Sequence, residues 1–325
     1  MCHATLGLAQ RDVRQYFAAL MEPSIFGAVQ PLEDGARVAL IAPSGVVSRA
    51  EDINRALENV RSFGWVPVLG DHVSSQLGYL AGSDADRLKD INAAFASDDI
   101  DAVWCIRGGY GSMRLLADLD YASLRRRRKP VIGFSDLTAL HSAIHRKCGL
   151  VTFHGPTARA RLTEFTRRSL SRALVDQRDS CGDVDDGRVL RHGRVKGRII
   201  GGNLALITAL LGTPFAPNFE GAILIVEDVG EAVYRIDRML RHLILAGALQ
   251  QCVALVAGNF RPPKSENSRD NRTLDDVLAE AATRAGIPCI AGAPFGHIAD
   301  QWTIPLGAIG ELDTDIPSLR VLPGS

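Results

Sequence analysis

Residues 101–116, DAVWCIRGGYGSMRLL, decide the fold. Ala102 to Ile106 is a short apolar run with the composition of a buried strand. Arg107-Gly108-Gly109-Tyr110-Gly111 follows, and its glycines permit a turn that residues with a Cβ would resist. Ser112 comes next, and the spacing from Met113 to Leu119 predicts a helix. Strand, tight turn, Ser and helix form the layout of a nucleophile elbow, in which the turn lifts a hydroxyl out of the sheet and a helix N-terminus offers N–H groups to an oxyanion. The spelling is not G-x-S-x-G. A phosphate-cradling glycine loop or a plain βα turn would use the same residues.

Outward from this stretch, strands and helices alternate. Arg37 to Ile41 reads as a strand, broken by Ala42-Pro43-Ser44-Gly45. Ile53, Leu57 and Val60 then fall on one helical face, and Val66 to Leu69 reads as a second strand. Ser83 is placed to cap a helix carrying Leu88, Ile91 and Phe95. Beyond the central stretch, Pro130 to Phe134 predicts a strand, Ser135-Asp136 a helix cap, and Val151 to Phe153 another strand ending at His154-Gly155-Pro156. This βαβ order predicts an open, mostly parallel sheet flanked by helices over residues 36–156. Residues 157–196 are charged and read as the connection. Residues 197–325 read as a smaller C-terminal α/β domain, opening on Ile199-Ile200-Gly201-Gly202-Asn203 and an apolar helix to Leu211, with strands at Ala222 to Val226, Val253 to Ala257 and Pro288 to Ile290. Helices are expected at Arg235 to Leu245 and Leu274 to Ala285, with a polar surface loop from Arg261 to Arg272. Residues 1–35 form an N-terminal appendage, with a short amphipathic helix expected from Arg11 to Met21.

The totals narrow the function. A formal net charge of zero over 325 residues lacks the basic excess of a nucleic-acid binder. The one basic run, Arg125 to Lys129, reads as a solvated loop. Six cysteines are scattered without a C-x-x-C pair, so neither a disulfide framework nor a zinc site is expected. Arg11 and Arg14 interrupt what would be the apolar core of a signal peptide, and no run is long enough to span a membrane. A cytoplasmic protein of two domains is expected.

In open α/β sheets, ligands sit beyond the carboxyl ends of strands. Ser112, Glu227 and His297 all fall at such positions and make a Ser–His–Glu set sufficient for acyl transfer. The backbone N–H of Met113 and of Gly82 are the expected oxyanion donors. His154 and His141 compete with His297 as the base, and Glu227-Asp228 could serve only to cap a helix.

The blocks RGGYGSMRLL, KPVIGFSDLTALH, HGP, GGNLALITALLGT, EDVGEAVYRIDRML and GAPFGH, followed by TIPLG, resemble the LD-carboxypeptidase family of serine peptidases, from about residue 36 to 310. That family includes murein tetrapeptide carboxypeptidases and the peptidase of microcin C self-immunity. The resemblance implies a triad of Ser112, Glu227 and His297, an active site between the two domains, no metal or cofactor, and frequent homodimers. It implies hydrolysis of the amide joining an L-centre to a terminal D-alanine in murein peptides, as in cell-wall recycling. A microcin-type peptidase cleaving an aminoacyl or peptidyl nucleotide amide is the alternative within the family. A phosphate- or peptidoglycan-fragment-binding module is the alternative outside it. Substrate contacts stay open. Arg107 could hold a terminal carboxylate or pair with a structural acid. Ser44 and Asn203 could line the cleft or form turns. Tyr234 and Arg235 could anchor either substrate or helix.

Overall fold

The structure is a computed structural model that describes residues 29–263 and 272–323. The helix expected from Arg11 to Met21 lies outside the described residues, as does most of the loop expected over Arg261 to Arg272.

Five parallel strands build the first sheet: β1 (Arg37–Ile41), β2 (Val66–Leu69), β3 (Ala102–Cys105), β4 (Val131–Gly133) and β5 (Thr152–His154). Their spatial order is β5-β4-β3-β1-β2. The chain therefore reverses its direction of travel between β1 and β3, and a crevice opens there beyond the strand ends. Helices α1 (Ala50–Arg61), α2 (Asp84–Ala96), α3 (Tyr121–Arg127) and α4 (Thr138–Cys148) make the crossovers. β3 and β4 are buried at every position, as the unbroken apolar runs required. Ser83 caps α2 in a reciprocal box with Asp86, its hydroxyl accepting from the Asp86 N–H at 3.1 Å.

The second sheet uses α5 (Glu164–Leu174), α6 (Leu204–Leu210), α7 (Val233–Leu245) and α8 (Leu274–Ala285) with β6 (Gly182–Asp183), β7 (Arg188–Arg191), β8 (Arg194–Asn203), β9 (Ala222–Val229), β10 (Ala254–Arg261) and β11 (Cys289–Ala291). β8 to β11 run parallel, while β13 (Ile309–Asp313) and β14 (Ser318–Val321) extend the far side antiparallel.

Three details differ from the sequence expectation. Residues 29–35 are part of the folded body: Val29 and Leu32 are buried, and the Leu32 N–H donates to Leu174 O at 2.8 Å. The segment 157–196 is not a bare connection, since β6, β7 and the start of β8 all pair within the second sheet. And β12 (Ile304–Leu306), far along the chain, returns to pair antiparallel with β5 of the first sheet. One apolar cluster accordingly runs from Trp65 and Trp104 of the first sheet to Ile225 and Val256 of the second. This shared core fixes the two domains against each other across the crevice.

Candidate active site

Four strand ends of the first sheet meet in the crevice. Ser44 follows β1, Gly108 to Ser112 follow β3, Phe134 to Asp136 follow β4 and His154 ends β5. From the second sheet come Glu227, inside β9, and His297, six residues after β11.

His297 and Glu227 come together as expected. The imidazole Nδ1–H donates to a Glu227 carboxylate oxygen at 2.7 Å. Glu227 is fully buried, whereas the His297 side chain stays one-fifth exposed. The bond fixes the tautomer: with the proton on Nδ1, Nε2 is left as an acceptor. Gly296 makes the approach possible. Its φ is +106°, and a Cβ there would lie 3.0 Å from both Cβ and Oε2 of Glu227. The neighbouring Asp228 does not cap the helix that follows it; it accepts from the Ala205 N–H at 2.9 Å and from the Asn203 amide at 3.0 Å at the start of α6, which precedes β9. His141 and His154 are excluded as the base by burial. His141 donates to Gly133 O at 2.8 Å, and burial pushes its pKa down to about 4. His154 is wholly buried between the rings of Phe134 and Phe295, and burial, then His141 and His297, push it down to about 3.

Ser112 does not join them. It is fully buried, and its hydroxyl donates to the main-chain carbonyl of Asp136 at 2.6 Å. Its N–H donates to the Asp136 carboxylate at 2.8 Å. The helix expected from Met113 to Leu119 is a single 3-10 turn, Ser112–Leu115, so no helix dipole is aimed at this hydroxyl. The expected oxyanion donors fail with it. Met113 follows a buried serine, and the Gly82 N–H is committed to Leu80 O at 3.0 Å.

Ser135 occupies the elbow instead. It stands between β4 and a 3-10 turn, Ser135–Leu137, that leads into α4. Its φ is +66°, a left-handed conformation uncommon for a residue other than glycine and shared among the described residues only with Arg128 and Gln177. It is partly exposed in an otherwise buried run from Val131 to Leu140. Phe134, one residue before it, packs its ring edge-on to His297 at 4.9 Å between centroids. Neither serine is hydrogen-bonded to His297 among the described residues, and apo spacing in such sites is commonly loose. The sequence signal was present in Gly133-Phe134-Ser135-Asp136, a G-x-S turn directly after a strand. The reading of Ser135-Asp136 as a side-chain helix cap does not hold, because no side-chain cap bond forms there.

The glycine loop after β3 packs on this elbow. A Cβ on Gly108 would lie 3.1 Å from Ser135 Cβ, 3.2 Å from Phe134 O and 3.3 Å from the Asp136 nitrogen. Asp136 itself is the brace: its carboxylate takes Ser44 Oγ at 2.6 Å as well as the Ser112 N–H. Ser44 is therefore a buried support and not a cleft-lining group. Asn203 caps α6, accepting from the Leu206 N–H at 3.2 Å. Tyr234 is exposed near the start of α7, where its hydroxyl accepts from Arg235 at 3.1 Å.

An imidazole–carboxylate pair with a left-handed serine turn packed beside it, between two α/β domains, is the arrangement of a serine-type hydrolase. Residues 38–155 match the N-terminal domain of LD-carboxypeptidases, and residues 196–312 match their C-terminal domain. The chain belongs to the LD-carboxypeptidase family. A relative from Streptomyces coelicolor, named as a carboxypeptidase, is 39% identical over 302 residues, covering 89% of this chain and 94% of its own. The murein tetrapeptide carboxypeptidase of Pseudomonas aeruginosa is 36% identical, covering 90% of this chain and 97% of its own. The crystal structure of a muramoyltetrapeptide carboxypeptidase from Oxalobacter formigenes shares 32% identity, with a TM-score of 0.80 over 89% of this chain and 99% of that one. The microcin C7 self-immunity protein MccF superposes with a TM-score of 0.83 over 91% of this chain and 99% of its own, at 24% identity, which shows a common fold.

Proposed function

We propose that this protein releases the terminal D-alanine from murein tetrapeptides by hydrolysing the amide to the L-centre of the preceding residue. Ser135 is the nucleophile, His297 the general base and acid, and Glu227 the group that orients the imidazole. The observation that carries this is the left-handed Ser135 at the end of β4, with Phe134 beside it against the His297 ring.

In the first step Ser135 Oγ attacks the amide carbon, and its proton passes to His297 Nε2. The positive charge that forms on His297 is balanced by the buried Glu227 carboxylate 2.7 Å away. The oxyanion meets the N–H of Asp136, which opens a 3-10 turn and so has no acceptor within it, and an N–H of the Gly108–Gly109 loop packed against that nitrogen. As the C–N bond breaks, His297 returns the proton to the leaving D-alanine amine. Water then adds to the acyl-serine as His297 takes its proton, the carbon–Oγ bond breaks, His297 returns the proton to Ser135 Oγ, and the tripeptide leaves. The chemistry is complete with these side chains, and the proposed reaction uses no metal or cofactor.

The family likeness to murein carboxypeptidases supports this substrate class; action in the cytoplasm, in the recycling of wall fragments, and as a homodimer is proposed with it. The test is D-alanine release from purified tetrapeptide, with Ser135→Ala and Ser112→Ala compared side by side. Release that survives Ser135→Ala and vanishes in a folded Ser112→Ala would return the nucleophile to Ser112. Fractionation and sedimentation check the location and the dimer.

A further inference from the structure

Arg107 stands beside the elbow without a carboxylate partner. Its Nη1 donates to Val46 O at 2.6 Å and its Nε to Gly108 O at 3.3 Å. Asp52, the acid whose field reaches it, is already taken by Arg159 at 2.8 Å and by Arg49 at 2.8 Å. No ion pair to Arg107 forms among the described residues. Burial pushes its pKa down, with Arg159 adding to the effect. A half-buried guanidinium that lacks a counter-ion is costly unless an anion arrives from outside.

Such an anion has a place to sit. Gly45, Tyr79, Arg107, Gly109 and Tyr110 line a hollow open to solvent. Arg107 Nη2 lies 3.4 Å from where a Cβ on Gly109 would stand, so the glycine leaves that edge of the guanidinium uncovered. Tyr79 and Tyr110 come from two different loops, meet edge-to-face at 5.6 Å, and are 68% and 51% exposed. Two large aromatic side chains left in water beside a cation make a wall that would dry an incoming charge pair. Gly108, between Arg107 and Gly109, touches the elbow serine. The hollow therefore adjoins the loop that packs on the elbow serine.

On the reading that Ser135 attacks the amide, we propose that Arg107, walled by Tyr79 and Tyr110, is the subsite for the free carboxylate of the leaving amino acid. This contact makes the reaction an exopeptidase one: a chain that continues past the leaving residue presents no carboxylate there. Arg107 is bidentate-capable and always charged, which suits a carboxylate better than a lysine would.

The experiment compares one tetrapeptide ending in D-alanine with the same peptide ending in D-alaninamide. For the wild-type protein kcat/KM favours the acid by roughly 10–100-fold, the range of a charge-assisted pair. Arg107→Gln removes that preference by slowing the acid alone, and Arg107→Lys restores part of it. Loss of both substrates by the same factor would make Arg107 a brace for the glycine loop and overturn the proposal, as would a wild-type enzyme indifferent to the amide. Calorimetric binding of both peptides to Ser135→Ala protein reads the subsite without turnover. A tetrapeptide bound with acid preference and never cleaved would sink the proposed activity alone. Equal affinity for acid and amide would sink the subsite alone.

Discussion

Ser112 and Asp136 are joined twice: the serine N–H donates to the carboxylate at 2.8 Å, and the serine hydroxyl donates to the main-chain carbonyl at 2.6 Å. Both groups are buried, so the loop after β3 is locked to the residue that follows Ser135. With Ser44 on the same carboxylate, three strand ends are tied at one point. That tie offsets the left-handed strain at Ser135, which costs about 1–3 kcal/mol.

Ser112→Ala is therefore expected to weaken the fold by about 0.5–1.5 kcal/mol, the cost of losing the buried hydroxyl bond to the Asp136 carbonyl, while D-alanine release falls by less than about 100-fold. Ser135→Ala is expected to lose several orders of magnitude in kcat with its melting temperature held or raised. Urea unfolding beside steady-state kinetics on the two variants checks this.

Glu227→Gln keeps the shape of the side chain and removes its charge. The amide can donate to His297 Nδ1, which would leave the proton on Nε2, where it blocks uptake of the serine proton. A fall in kcat of about 10³–10⁴, with KM little changed, is expected from single-turnover kinetics.

Gly108→Ala tests the contact between the glycine loop and the elbow. The new methyl would stand 3.1–3.3 Å from Ser135 Cβ, Phe134 O and the Asp136 nitrogen, two of which are main-chain atoms with little room to give. A lowered kcat in a protein of near-normal melting temperature is expected. A crystal structure showing an unmoved elbow in an inactive variant would assign the loss to something else.

The two buried histidines predict an acid-sensitive fold. His154 and His141 are held neutral in the folded protein, at about 3 and about 4, while in the unfolded chain they protonate near 6.5. The unfolded state then binds more protons below that value, so stability is complete above about pH 6.5. It falls as pH drops toward 4, by at most about 1.4 kcal/mol per unit for each ring. His154→Phe should flatten this dependence in urea titrations between pH 7 and 4. An unchanged slope would show that other groups carry it.

The sequence alone determined the alternation of strands and helices, and with it the parallel sheet and the crevice beyond its strand ends. Unbroken apolar runs such as Ala102 to Cys105 and glycine punctuation are local signals, readable without knowing what packs on them. It also picked out Glu227 and His297, because each lies near a strand of recognisable spelling. It pointed to Ser112 as the nucleophile and read Ser135 only as part of a helix cap, although both come shortly after a strand and a glycine. That the Ser112 hydroxyl is already bonded depends on backbone dihedrals and on a partner 24 residues away, Asp136. The return of β12 to the first sheet and the lack of a counter-ion at Arg107 were equally invisible, because each is settled by which distant groups arrive at a place. Local pattern fixes elements; only the packed chain decides which polar atoms are already satisfied and which are left for a substrate.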